Sequence, residues 1–484
     1  MALGRFWAAT CVHPARVGAA WARSYGQLSV LARGTLALDG AGGDTVWRAQ
    51  RGGGGPAATA GGPLKERGHP DRAAATTAED LVAECSGSGP WPTMVPGQLQ
   101  DCGPAYRVLD AEGRRLRPAP PEQVTEETEL ALALWRHMVR LRIIDERMLA
   151  MQRQGRIGFY GAITGQEAGV FGAAAALQLR DWVHPALREG GMALWRGFSL
   201  RTWLANCFGN VEDTCTKGRQ MPCHYGSRAL NHVTLSSVMT TQFPQAVGTA
   251  FAMAARCSDA EDATGDRPVC FAAIGDGATS EGDFHVAMNM AGVLRPRGKG
   301  LPLVLFCANN QWAISTPYER QTAAPTLAHR AIGYGLGAAR VDGNDALAVF
   351  QVVAEATRRA RVGEPPVFIE AMTYRVGAHT TSDDPSRYRD ERVTEAWRAL
   401  DPITRLQRYL LACGQLDEAA VEAHARACDE EVRTTLASVE ALPPVALHTL
   451  FDDVYAELPP HLLLQRQEAE AAAEALAAAG ARSA

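Results

Sequence analysis

The chain has 484 residues, 46% hydrophobic and 21% charged, an ordinary balance for a folded protein with a large core. A formal charge of −5 leaves no basic footprint for nucleic acid, and no apolar run is long enough to span a membrane. The 11 cysteines are odd in number, scattered and without a CxxC pair, so reduced thiols in a reducing compartment fit better than a disulfide framework.

In chain order, residues 1–38 contain Arg5, Arg16, Arg23 and Arg33, with no acid before Asp39. They are rich in Ala, with Phe6, Trp7, Trp21 and Leu31 interspersed, and resemble a mitochondrial transit segment. Residues 39–104 are rich in Gly, Ala, Ser and Pro and read as a disordered linker. Order is expected from Ala105, where YRVLDAEGRRLRP alternates like a strand and turn, and the main domain from 105 to 467. Residues 126–154 place Leu130, Leu134, Met138, Leu141 and Met148 at helical spacing, predicting a long amphipathic helix. Further helices are predicted over 164–179, 199–208 and 242–255. Then an apolar run, 269–274, stops at Gly275-Asp276-Gly277. A helix follows, and a second apolar run, 301–307, precedes Asn309-Asn310. Beyond it come a short strand at 338–341, a helix over 345–361 that Asn344 can cap, and a strand at 367–374. A helix starts at Asp401-Pro402 and is closed by Gly414, 416–440 is helical, and an Ala/Glu-rich tail occupies 468–484. The alternation predicts an α/β fold with a central, mostly parallel sheet flanked by helices on both faces.

Two buried strands joined by a helix would bring Asp276 and Asn310 together at the carboxyl ends of neighbouring parallel strands. That rim is where open α/β sheets bind ligands. Mg²⁺ takes hard oxygen ligands, one or two from protein and the rest from phosphate and water. Asp276 can supply a carboxylate and Asn310 an amide carbonyl. Gly275 and Gly277 let the backbone approach a bulky anion. Amides near Ala278 and Thr279, opening the helix, can donate to phosphate.

This arrangement resembles the thiamine diphosphate motif. The interval between GDG and Asn-Asn is longer than usual, and the surplus is placed in the basic, Gly-containing loop at 295–300. RQGRIGFY (153–160), KGRQMPCHYGSRALNHVTLSS (217–237), TTQFPQAVG (240–248), RVDGND (340–345), IEAMTYRVGAHTTSDDPSRYR (369–389) and FDDVYAELP (451–459) narrow the likeness. Together they resemble the alpha subunits of branched-chain 2-oxoacid dehydrogenases, the thiamine-dependent decarboxylase component. The GRQMP and TSDD segments point away from the pyruvate-specific relative.

The resemblance implies that Asp276, Asn310 and the main-chain carbonyl of Trp312 ligate Mg²⁺. Arg188, Ser237, Gly277 and Ala278 match contacts to thiamine diphosphate, and His379 matches a catalytic histidine reaching the diphosphate from a mobile loop. Ser236, Val238, Thr241 and Gln242 match a K⁺ site. Ala186 and Leu187 stand where the family has Gln-Tyr, and Ala308 where many relatives have arginine, so polar contacts are lost at these places. His224, Tyr225 and His285 are expected to be packing or surface residues. The implied reaction is oxidative decarboxylation of a branched 2-oxoacid, with the acyl group passing to a lipoyl group on a separate acyltransferase core. The family's beta subunit supplies the glutamate that activates the cofactor, in a heterotetramer of two alpha and two beta chains. In animal relatives a serine after the loop histidine is phosphorylated; Thr380 occupies that position, which implies a regulatory kinase and phosphatase. The implied location is the mitochondrial matrix, or the cytoplasm for a bacterial source. Left open are an alpha subunit of another 2-oxoacid dehydrogenase (pyruvate) or acetoin dehydrogenase, and a non-catalytic scaffold subunit. No nucleic-acid or membrane partner is expected.

Overall fold

A five-stranded parallel sheet organises the molecule. In spatial order it contains β1 (Trp182–His184), β2 (Cys270–Gly275), β3 (Leu303–Asn309), β7 (Val367–Met372) and β6 (Gly337–Asp342). A hairpin of β4 (Trp312–Ala313) and β5 (Thr316–Pro317) follows β3 directly. The computed structural model describes residues 94, 105–119, 121–258 and 264–483. The transit segment and the 39–104 linker, Met94 excepted, lie outside the described residues. Met94 itself is buried, its carbonyl against Gly337 of β6.

The sequences of β2 and β3, CFAAIG and LVLFCAN, are buried almost throughout. Parallel strands covered on both faces need such continuous apolar runs. On one face, α4 (Gln242–Arg256) and α5 (Gly282–Val293) bury Phe243, Ala246, Val247, Phe284 and Met288 against Cys270, Ala272, Leu303 and Leu305. On the other, Gly169 of α2 (Glu167–Ala175) lies against the Phe306 ring. Helix α2 packs closely on α6 (Ala346–Arg361), because a Cβ on Gly172 would sit 2.7 Å from the Ala346 carbonyl. The long α1 (Pro121–Arg153) and α8 (Glu418–Glu440) lie together outside this core, with α3 (Leu200–Phe208) packed on α8. Helix α7 (Pro402–Ala412) is capped by Asp401, which accepts from the Ile403 and Thr404 amides, and α9 (Pro460–Ser483) closes the described chain.

Several boundaries differ from expectation for identifiable reasons. Asp345, not Asn344, caps α6, accepting from Ala348 N at 3.1 Å. Its other oxygen takes the Val108 and Leu109 amides at 2.8 and 2.7 Å, so one carboxylate starts a helix and pins the 105–109 segment. Asn344 is used elsewhere, donating to the Leu400 carbonyl and accepting from Thr373. After β2 the chain makes a 3-10 turn, Gly277–Ser280, and the α-helix opens only at Gly282. The Ala278 and Thr279 amides therefore belong to a tight turn and not to an α-helix. Every described cysteine is a free thiol, and no helix among the described residues is long and apolar enough to cross a membrane.

Candidate active site

The register pairs Gly275 with Ala308, so Asp276 and Asn309-Asn310 leave the sheet side by side. Both candidate ligands are buried, Asp276 at 1% and Asn310 at 6% exposure. The Asn310 backbone N–H acts on the Asp276 carboxylate, which accepts from Gln321 Nε2 at 2.6 Å. Burial nevertheless pushes the Asp276 carboxyl up to about 6, outweighing those hydrogen bonds and the Arg375 charge. The two asparagines have different partners. Asn309 donates to Glu370 Oε1 at 2.7 Å and so ties β3 to β7. Asn310 donates through Nδ2 to Gln166 Oε1 at 3.1 Å, which fixes its amide so that Oδ1 faces Trp312 N at 3.3 Å. Gly277 is required by contact, since a Cβ there would meet Ala313 Cβ at 2.5 Å, whereas Gly275 faces open space.

Two buried guanidinium groups border this rim. Arg188 donates to the Ala162 carbonyl and, at 2.6 Å, to the His379 carbonyl. Arg375 donates to the carbonyls of Trp312 (3.2 Å) and Ile314 (2.6 Å), and its Nη1 lies 3.4 Å from His379 Nδ1. Burial first, and then the Arg375 charge, lowers Arg188 to about 10. His379 is driven down to about 4 by burial, then by Arg188 and Arg375, so its ring is neutral at pH 7. Its loop is fastened by Asp383, which accepts from His379 N at 2.7 Å and from the Tyr388 hydroxyl at 2.5 Å. Among the described residues neither Arg188 nor Arg375 forms an ion pair. Arg375 also donates to the Tyr388 hydroxyl at 3.0 Å. Buried like charges whose hydrogen bonds go to neutral groups suit a polyanion, and the oxygens of Asp276, Asn310 and Trp312 suit a hard divalent cation. The residues present therefore fit a Mg²⁺-diphosphate.

The segment 236–242 forms an adjoining wall. Its turn closes on itself: Ser236 Oγ accepts from Val238 N at 3.2 Å, and Thr241 Oγ1 donates to the Val238 carbonyl at 2.9 Å. Gln242 donates to the Ala273 carbonyl, leaving Oε1 buried without a partner among the described residues, the oxygen there best suited to a cation. Ser237 Oγ lies 2.5 Å from His224 Nε2, whose Nδ1 faces the Pro222 carbonyl at 3.1 Å. The expectation that His224 only packs is corrected by this contact: it orients a candidate cofactor residue. Tyr225 packs on Trp203, and His285 bonds Tyr334 on the surface, as expected. Leu187 rests against Gly161, and Ala308 is buried within β3.

The model of the family described as "Dehydrogenase E1 component" matches residues 135–447. The chain belongs to this family. It is 40% identical over 369 residues to the mitochondrial 2-oxoisovalerate dehydrogenase subunit alpha of Caenorhabditis elegans, covering 76% of this chain and 82% of the relative. Against the human mitochondrial subunit alpha it is 41% identical over 366 residues, 75% of this chain and 78% of the relative. The Arabidopsis thaliana subunit alpha 2 is 40% identical over 365 residues, 75% and 74% respectively. In this E1 component, sequence reasoning missed Gln166, Gln321 and Arg375 as site residues. Arg375 lies inside the 369–389 motif and was within reach, whereas neither glutamine stands in a pattern that marks it.

Proposed function

We propose that this E1 component is the alpha subunit of a branched-chain 2-oxoacid dehydrogenase. It takes part in decarboxylating acids of the 2-oxoisovalerate type and in transferring the acyl group to a lipoyl group on an acyltransferase core. The observation that carries this is the meeting of Asp276, Asn310, Arg188 and His379 at one rim, in a chain so similar to 2-oxoisovalerate dehydrogenase alpha subunits. Thiamine diphosphate, when bound, supplies the electron sink for loss of CO₂.

The chain's own residues hold the diphosphate end. Asp276, Asn310 and the Trp312 carbonyl would hold Mg²⁺. Arg188, Ser237, Gly277 and Ala278 would hold the diphosphate. His379, neutral at working pH, accepts at Nδ1 from Arg375, so its proton sits on Nε2, the ring nitrogen that can donate to phosphate or to a reacting oxygen. Ser236, Val238, Thr241 and Gln242 would brace this wall around K⁺. No proton-abstracting carboxylate is assigned to this chain; the beta subunit brings it, and the working unit pairs alpha with beta in a heterotetramer. The location follows the relatives, in mitochondria.

The test is a substrate panel on the complex reconstituted with its beta chain, a lipoyl domain as acceptor. Branched 2-oxoacids should exceed pyruvate and acetoin in kcat/KM, and the chain without beta should turn over nothing. Preference for pyruvate or acetoin overturns the substrate assignment. Cofactor binding without turnover on any acid makes the chain a scaffold.

A further inference from the structure

Asp276 gives one carboxylate oxygen to a neighbour that the metal-ligand assignment does not use. Gln321, 45 residues away in sequence, donates through Nε2 to Asp276 Oδ2 at 2.6 Å and to the Thr316 carbonyl at 3.2 Å. Both partners are acceptors, so the amide nitrogen must be the atom between them. The Gln321 backbone is fixed as well. Its N–H donates to the Tyr318 carbonyl at 2.9 Å, and its carbonyl accepts from Arg330 Nη2 at 3.3 Å. Arg330 donates through Nη1 to the Thr279 carbonyl, in the turn that follows Asp276, and lies over the Phe284 ring. Gln321 is thus clamped between the turn after β2 and the β4–β5 hairpin, with its amide on the carboxylate.

With Oδ2 held by Gln321, the carboxylate offers a cation Oδ1, which keeps a lone pair for it even where the Asn310 backbone N–H also donates there. Mg²⁺ accepts that readily, because it demands compact octahedral geometry and takes few protein oxygens. Ca²⁺, with six to eight ligands at longer distances, gains from a bidentate carboxylate that Gln321 prevents. We propose that Gln321 is the positioning residue of the metal site, holding Asp276 to a single ligating oxygen and so biasing the site toward Mg²⁺ over Ca²⁺. This rests on the proposed role of Asp276.

The experiment is calorimetric titration of the alpha–beta complex with thiamine diphosphate, Mg²⁺ or Ca²⁺ being the sole divalent ion. Wild type is compared with Gln321→Met, which fills similar space without a donor. Mg²⁺-supported affinity should fall about tenfold, and Ca²⁺-supported affinity by less than about threefold, consistent with loss of one charge-assisted hydrogen bond. Equal losses with the two ions, no loss, or a gain with Mg²⁺ overturns the proposal; a gain would mean that the amide stands in the ion's place. If Gln321→Met does not assemble, a crystal structure of the wild-type complex with Mn²⁺ and thiamine diphosphate decides. Gln321 on Asp276 with a single ligating oxygen supports the proposal, and a displaced Gln321 or a bidentate Asp276 overturns it. Wild type that binds no thiamine diphosphate with any ion removes the function assigned to the site. Normal wild-type binding with an unchanged variant removes only the role of Gln321.

Discussion

Replacing Asp276 with asparagine separates the stability cost of this carboxylate from its use. Burial raises its pKa from 3.8 to about 6, and at 1% exposure solvent screening does little to reduce the effect. The folded protein therefore holds this proton more tightly than the unfolded chain does. Stability contributed by the neutral acid is full below the unfolded value and is lost as pH rises through about 6. Above that, the charged group costs the cofactor-free protein about 3 kcal/mol, at about 1.4 kcal/mol per pKa unit. Asparagine removes the charge but leaves a single acceptor for the Gln321 and Asn310 donors, and the lost hydrogen bond offsets about 1 kcal/mol. The cofactor-free complex carrying Asp276→Asn should thus be more stable by about 2 kcal/mol near pH 7.5 and nearly unchanged near pH 4.5. Urea unfolding at the two pH values measures this, and calorimetry should show thiamine diphosphate bound at least about 100-fold more weakly, as loss of a charged metal ligand requires. A variant less stable near pH 7.5, or one that keeps Mg²⁺-dependent cofactor binding, refutes the reasoning.

Other outcomes can be checked separately. His184 and His232 are buried with both ring nitrogens unpartnered among the described residues, and burial lowers them to about 4 and about 3. The unfolded chain takes up these protons first, so stability is lost as pH falls from about 6.5 toward 4; replacing both with Phe should flatten the acid limb of a melting-temperature profile, and an unchanged limb counts against it. Asp342 is held down at about 2 because Arg405 and Arg107 together outweigh its burial. Arg405→Met leaves that charge with Arg107 and the Asn344 N–H, also strips the Leu109 and Asp110 carbonyls of a donor, and should cost about 3–5 kcal/mol in urea unfolding; a loss under about 1 kcal/mol contradicts the account. Thr380→Glu places a carboxylate next to His379, whose carbonyl is bonded to Arg188, and should weaken cofactor binding by calorimetry. Normal binding in that variant removes the electrostatic basis for control at Thr380.

The parts of the fold legible in the sequence are those where burial writes a pattern. The continuous apolar runs of β2 and β3 and the helical spacing of Leu130 to Met148 were read because the core dictates them residue by residue. Strand β1 is three residues long and β4 and β5 two each, too short for any period to register. The choice of Asp345 over Asn344 as cap depends on the Val108 and Leu109 amides, which lie some 236 residues away. The Asp276–Asn310 pair was legible because each closes a strand at the same rim. Gln321, Gln166 and His224 were not, because what makes them part of the site is a hydrogen bond across the fold rather than any local spacing.

The most direct test is equilibrium dialysis of labelled thiamine diphosphate against the alpha–beta complex, with wild type, Asn310→Ala and Asn309→Ala compared in Mg²⁺ and in EDTA. Binding should be stoichiometric with the alpha chain in Mg²⁺, lost in EDTA, lost in Asn310→Ala, and retained in Asn309→Ala, whose side chain is committed to Glu370. Metal-independent binding, or full retention in Asn310→Ala, would contradict the claim that Asp276 and Asn310 together grip the ion that anchors the diphosphate.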